Sequence, residues 1–259
     1  MRSRPTPDAE REPVLAGAVR EAIGPALRFL EDGPDISSLV LGELWRFDEL
    51  GPDRGALKAY CAVMAIATDA FRGVRATLLI HDLGSVFVLL RRADEMHTLA
   101  VVFGLDPGEA HRWLRGGPVS QSELRQLVNR HEPGLAASMR TTYHMLSDEV
   151  HGRAQSLAVY ENVYGTFAWP PHGPDVDPTR IRASYTTALS VLMSHFGVLR
   201  WMIRRWDLLS PGLGPATAAY YDALVEFVLA HQAHGDWHAI APGQAAAWLG
   251  IPGQESQDA

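Results

Sequence analysis

Cysteine is almost missing from the chain. Cys61 stands alone among 259 residues, so no intramolecular disulfide can form, and a reducing, cytoplasmic setting is the expectation. It sits in the apolar run Ala59-Tyr60-Cys61-Ala62-Val63-Met64, where a buried structural thiol is the ordinary reading. Lysine is equally scarce. Lys58 is alone beside 22 arginines, a skew that fits a coding bias better than selection for phosphate contacts. The net charge of −7 argues against a broad nucleic-acid face, which needs Lys and Arg, although it leaves room for a local basic patch and so for RNA as a partner.

Long apolar runs are also lacking. The nearest approach, Ala188 to Ile203, is interrupted by Ser190, Ser194, His195 and Arg200, and it falls short of the roughly 18 residues that a membrane span takes. Met1 to Glu12 contains no apolar stretch of the kind a secretory leader carries. No membrane association is therefore expected. Zinc-type Cys clusters, the metalloprotease helix motif, phosphate loops and the dinucleotide fingerprint are missing, so no cofactor is expected. Ser147 lacks the Gly-flanked sharp turn of a hydrolase nucleophile.

What the chain does have is helical periodicity, with no series of alternating strands and no internal repeat. Helices are predicted over about Pro13–Leu30, Ile36–Leu50, Arg54–His81 and Asp82–Gly104, then from Asp106-Pro107 to Arg115. Others follow over Gly134–Tyr160, Asp177 or Pro178–Leu209, and Pro215–His234. An Asp-Gly-Pro-Asp turn at Asp32–Asp35 and the Gly51-Pro52-Asp53 break separate the first segments, and Ser120 to Glu123 reads as a capping box. The aromatic, Pro/Gly-rich stretch from Gly165 to Pro174 is expected to pack on the same domain. The fold expected is an all-α helical bundle of about seven to nine helices. It forms one domain over 13–252, between disordered tails at 1–12 and 253–259.

Chemistry concentrates in two helical segments. In the first, Tyr143, Ser147 and His151 recur every four residues and form a polar stripe that includes Arg140. Met139, Leu146, Val150 and Leu157 form the adjoining apolar face, so the stripe lies at the margin of buried surface, where polar groups need partners. In the second, Arg91 and Glu95 are four apart and can pair within their helix, or reach the stripe if the two helices pack. These five residues can form a satisfied network that fixes helix register. They can equally line a small-molecule pocket, with His151 as general acid/base and Arg91 holding an anion.

The sequence Leu90-Arg91-x-x-x-Glu95, followed by an Asp106-Pro107 helix ending in Trp113-Leu114 and then by Tyr143-x-x-Leu146-Ser147-x-x-Val150-His151, resembles a bacterial helical family grouped loosely with the HEPN-like bundles. The likeness covers roughly Leu57 to Leu199. It implies a helical bundle with an internal polar cluster and leaves the activity open; a regulatory or defence-related binding role is the first expectation. HEPN ribonucleases use an Arg and a His separated by four to six residues, at a dimer interface and without metal. Four pairs here meet that spacing: Arg92 with His97, Arg91 with His97, Arg75 with His81, and Arg125 with His131. Residues five apart on a helix point about 140° away from each other, so Arg92 and His97 of one chain are poorly placed to grip one phosphate. Such a site would call for a homodimer.

Near the C-terminus, His231, His234 and His238 surround Asp236. A metal can be shared by histidines three apart on one helix face, but Gly235 is expected to end the helix before His238. The plainer reading is a polar helix end, where His is favourable near the C-terminal dipole. Most of Trp45, Trp113, Trp169, Trp201, Trp206, Trp237 and Trp248 are expected to be packing anchors.

Overall fold

Every third or fourth residue of the segment after Asp53 is apolar on the same side, and that side is sealed. Ala56, Tyr60, Val63, Ala67, Phe71, Val74 and Leu78 are completely buried. They form one face of a long helix that packs against the helix after it. In the computed structural model, which describes residues 8–46, 53–117, 120–150, 178–205 and 213–232, the helices are α1 (Asp8–Ile23), α2 (Arg28–Arg46), α3 (Arg54–Leu79), α4 (Leu83–Leu105), α5 (Pro107–Leu114), α6 (Gln121–His131), α7 (Pro133–Val150), α8 (Pro178–Arg205) and α9 (Leu213–Gln232). Among the described residues there is no strand, and the architecture is the all-α bundle that the periodicity predicts. No described helix is long and apolar enough to cross a membrane.

α3 and α4 form an antiparallel hairpin. Its turn needs His81 in the left-handed region, at φ 58°, and Asp82 caps α4 by accepting from Ser85 N at 3.2 Å. Asp106 caps α5 in the same way, accepting from Gly108 N at 2.9 Å, with Pro107 at the favoured first position. α4 is the hub: it packs against α3, α5, α6, α7 and α8. Its residues from His97 to Gly104 are buried without interruption, as befits a helix surrounded on all sides. α1 lies on α8 and α3, and α9 closes α2 and α8.

Three local expectations are corrected. First, α1 begins at Asp8, ahead of the proline expected to open it, and carries Pro13 inside it. Second, there is no turn at Asp32–Asp35, because α2 runs through Gly33 and Pro34. The break lies earlier, at Gly24-Pro25, where Gly24 takes φ +63° and a 3-10 turn spans Gly24–Leu27. Tertiary packing overrides the turn signal. Gly33 is buried under the Tyr220 phenol, where a Cβ would collide with the hydroxyl, and Tyr220 Oη donates to Phe29 O at 2.7 Å. Third, Ser120 precedes α6 but does not cap it, since its hydroxyl bonds Ser122 Oγ at 2.8 Å instead.

The predicted segments Gly51-Pro52 and Gly165–Pro174 and the tail from 253 lie outside the described residues, as do Trp169, Trp206, Trp237 and Trp248.

Candidate functional site

Two polar assemblies lie on opposite sides of α4, one at the margin of the bundle and one in its core. The marginal one is built from residues singled out in the sequence. Arg91 Nε donates to Glu95 Oε1 at 3.1 Å, one turn apart on α4. A second guanidinium nitrogen of Arg91 donates to Tyr143 Oη on α7, also at 3.1 Å. From α6, the Arg125 guanidinium lies 3.7 Å from the Tyr143 ring centroid, with its Nε held by Gln121 O at 3.1 Å. Arg125 foremost, then the Ser147 hydroxyl and the Arg91 charge, hold the Tyr143 phenol below its ordinary range. Three helices thus set two cations about one half-buried phenol.

Ser147 is buried one turn along α7 from Tyr143. Arg140, by contrast, is exposed and reaches Asn129 Oδ1 at 3.4 Å. His151, the last member of the predicted stripe, lies outside the described residues.

Asp94 connects this corner to the core. It is only 3% exposed on α4, and burial pushes its carboxyl up to about 7, against the opposing pull of Arg125 and Arg91 and with Glu95 adding to the rise. Beyond it lies a cavity with about 10 Å³ of room for the centre of a water molecule. Asp94 and His97 line it from α4, Ser138, Met139 and Thr142 from α7, and Ser194 and Val198 from α8.

The core assembly escaped the sequence reading. His97 Nε2 lies 3.0 Å from His195 Nδ1 on α8. His195 Nε2 lies 2.8 Å from Ser37 Oγ on α2, which is 2.8 Å from Thr68 Oγ1 on α3. The Thr68 hydroxyl donates to Met64 O at 2.8 Å. Phe71 covers the pair, its ring centroid 5.4 Å from that of His195 and 6.4 Å from that of His97. Burial lowers the pKa of both imidazoles, that of His97 to about 3, so both are neutral. The residues of this hydrogen-bonded chain are far apart in sequence, the two histidines by 98 positions. The available signal was weak: His195 interrupts an otherwise apolar helix, so burial demands a partner for it, but nothing local names the partner.

The Arg/His spacings do not become paired sites in the described chain. Arg92 is exposed, whereas His97 is 1% exposed and faces His195. Arg75 donates to Glu31 at 2.8 Å, and His81 is buried in the α3–α4 turn. Arg125 leans on Tyr143, while His131 is exposed at the end of α6. Of the C-terminal histidines, His231 falls in the last turn of α9 without a described side chain, and His234 and His238 lie outside the described residues. Among the described residues no three His, Cys, Asp or Glu side chains are grouped to hold a metal. Burial pushes the Cys61 thiol up to about 12, which leaves it un-nucleophilic. No family model matches the chain, and none of the curated proteins or solved structures compared with it matches either.

Proposed function

We propose that this chain is a HEPN-like regulatory or defence-related binding protein of the bacterial cytosol, and that it holds an anionic group at the corner formed by Arg91, Arg125 and Tyr143. The observation that carries this reading is the convergence of two guanidiniums from α4 and α6 on the Tyr143 phenol of α7. Arginine presents a planar fork of donors matched to phosphate or carboxylate. Glu95, paired with Arg91, pre-orients one fork. His97 is enclosed in the core and neutral, which weighs against its acting as the histidine of a ribonuclease.

The test combines binding and cleavage. The purified protein is titrated calorimetrically with inorganic phosphate, pyrophosphate and a short RNA, and is incubated with total RNA in chelator. Saturable anion binding, weakened tenfold or more in Arg125→Gln, with RNA left intact, is the expected result. RNA cleavage that disappears in His131→Ala, His151→Ala or His97→Ala variants of unchanged fold would replace this reading with the ribonuclease. No binding and no cleavage would reduce the corner to a structural network.

A further inference from the structure

The core hydrogen bonds have a direction, and following it leads to the cavity. A carbonyl oxygen can only accept, so the single Thr68 hydroxyl proton is committed to Met64 O. Ser37 must then donate to Thr68 Oγ1, which commits its only proton. Ser37 Oγ is left as an acceptor for His195, whose Nε2 must therefore carry the proton. A neutral imidazole has one N–H, so His195 Nδ1 is bare and accepts from His97 Nε2–H. By the same rule His97 Nδ1 is bare. That nitrogen is buried and has no hydrogen-bond partner among the described residues, and leaving a buried acceptor unpaired is unfavourable.

Much of the remaining lining of the cavity also offers acceptors. Thr142 Oγ1 donates to Ser138 O at 3.3 Å, and Ser194 Oγ donates to Ser190 O at 3.2 Å, so each turns only lone pairs elsewhere. Asp94 adds carboxyl oxygens. Arg91 and Glu95 on α4 and Arg125 on α6 are the charges that act on Asp94, and Tyr143 stands beside them on α7. An acceptor-rich space of this size suits a small molecule with two protons to donate. It is about the smallest space that admits a water, which needs two to four polar partners.

We propose that this cavity holds one ordered water molecule, which donates to His97 Nδ1 and heads a single-direction chain of hydrogen bonds from the water to the Met64 carbonyl. A metal ion is less suited to it, since Asp94 and His97 would be its only strong ligands. The chain crosses α4, α8, α2 and α3, and its donors all point the same way, with Thr68 Oγ1 a second, longer acceptor for His195 Nε2–H at 3.4 Å.

The test uses the whole wild-type protein. Long-range proton–nitrogen correlation spectra of the ¹⁵N-labelled chain should show His97 and His195 both as Nε2–H tautomers. The His97 Nδ1 resonance should be shifted from the position of a bare nitrogen to that of a hydrogen-bonded acceptor. Nuclear Overhauser cross-peaks should link a slowly exchanging water to the Thr142 and Val198 methyl groups. An Nδ1–H tautomer at His97 would reverse the chain and overturn the proposal. So would a bare His97 Nδ1 with no water cross-peak, which means a dry cavity, or a His97 resonance that moves on chelation, which means a metal.

Discussion

His97 Nε2 and His195 Nδ1 meet at 3.0 Å inside a helical bundle, with Phe71 across both rings. Each imidazole is kept neutral by burial, whereas in the unfolded chain each takes up a proton below about pH 6.5. A depressed folded pKa gives stability that is present above the unfolded pKa and lost as pH falls. Two histidines contribute that loss. Asp94, raised to about 7, contributes the opposite slope between about pH 4 and 7. The net effect is about one proton, or roughly 1.4 kcal/mol per pH unit, between about pH 6 and pH 4. Urea unfolding followed across that range should show stability falling with acid, and stability unchanged down to about pH 4.5 would contradict the neutral pair.

Asp94→Asn isolates the opposing slope. The carboxyl is protonated in the folded protein up to about pH 7 and ionised in the unfolded chain above about pH 4, so the wild type loses stability over that window as pH rises. The amide does not titrate. The variant should therefore gain on the wild type by roughly 2–4 kcal/mol between pH 5 and pH 8. Parallel stability curves for the two proteins would show that Asp94 is not protonated in the folded state.

Two glycines on helices should respond to alanine with opposite signs. A Cβ on Gly104 of α4 would lie 2.7 Å from the Trp201 ring and 2.8 Å from Met202 Cε on α8, whereas Gly42 of α2 is exposed with nothing within 4 Å. Gly42→Ala should stabilise by about 1 kcal/mol through helix propensity alone. Gly104→Ala gains the same propensity but overpacks the α4–α8 contact at a cost of about 1–3 kcal/mol. It should end up to about 2 kcal/mol less stable than the wild type, as thermal unfolding of the pair would read.

Tyr143 should be the first of the structurally described tyrosines to ionise. Arg125, Ser147 and Arg91 favour its phenolate, whereas burial raises the pKa of Tyr60, Tyr185, Tyr220 and Tyr221. An ultraviolet titration should show one early phenolate step, below about pH 10. That step should vanish in Tyr143→Phe and move upward in Arg125→Gln. If it survives in Tyr143→Phe, another tyrosine carries it.

The elements that were legible in the sequence are those governed by contacts within a few residues. Asp82 and Asp106 announce helix starts because a cap bonds two or three residues ahead, and Arg91 with Glu95 announces an ion pair one turn long. Asp32–Asp35 misled because its turn chemistry is local, while its conformation is decided by Tyr220, which arrives from the other end of the chain. The union of Ser37, Thr68, His97 and His195 was illegible for the same reason. Each looks ordinary on its own helix, and only packing reveals why it is polar.

That four-helix junction also discriminates among ways of assembling the bundle. Apolar helix faces tolerate sliding, since leucine and valine fill many alternative positions at similar energy. A slide of α8 by one turn, about 5.4 Å, would carry His195 away from both His97 and Ser37 and strand polar atoms in hydrocarbon. Misdocked packings are thereby penalised far more than the native one is stabilised, which widens the gap between them. Because α8 joins late in the chain, an intermediate made of α2, α3 and α4 alone would leave this junction wet and unfinished. Only with α8 in place do His97 and Ser37 meet their shared partner, His195.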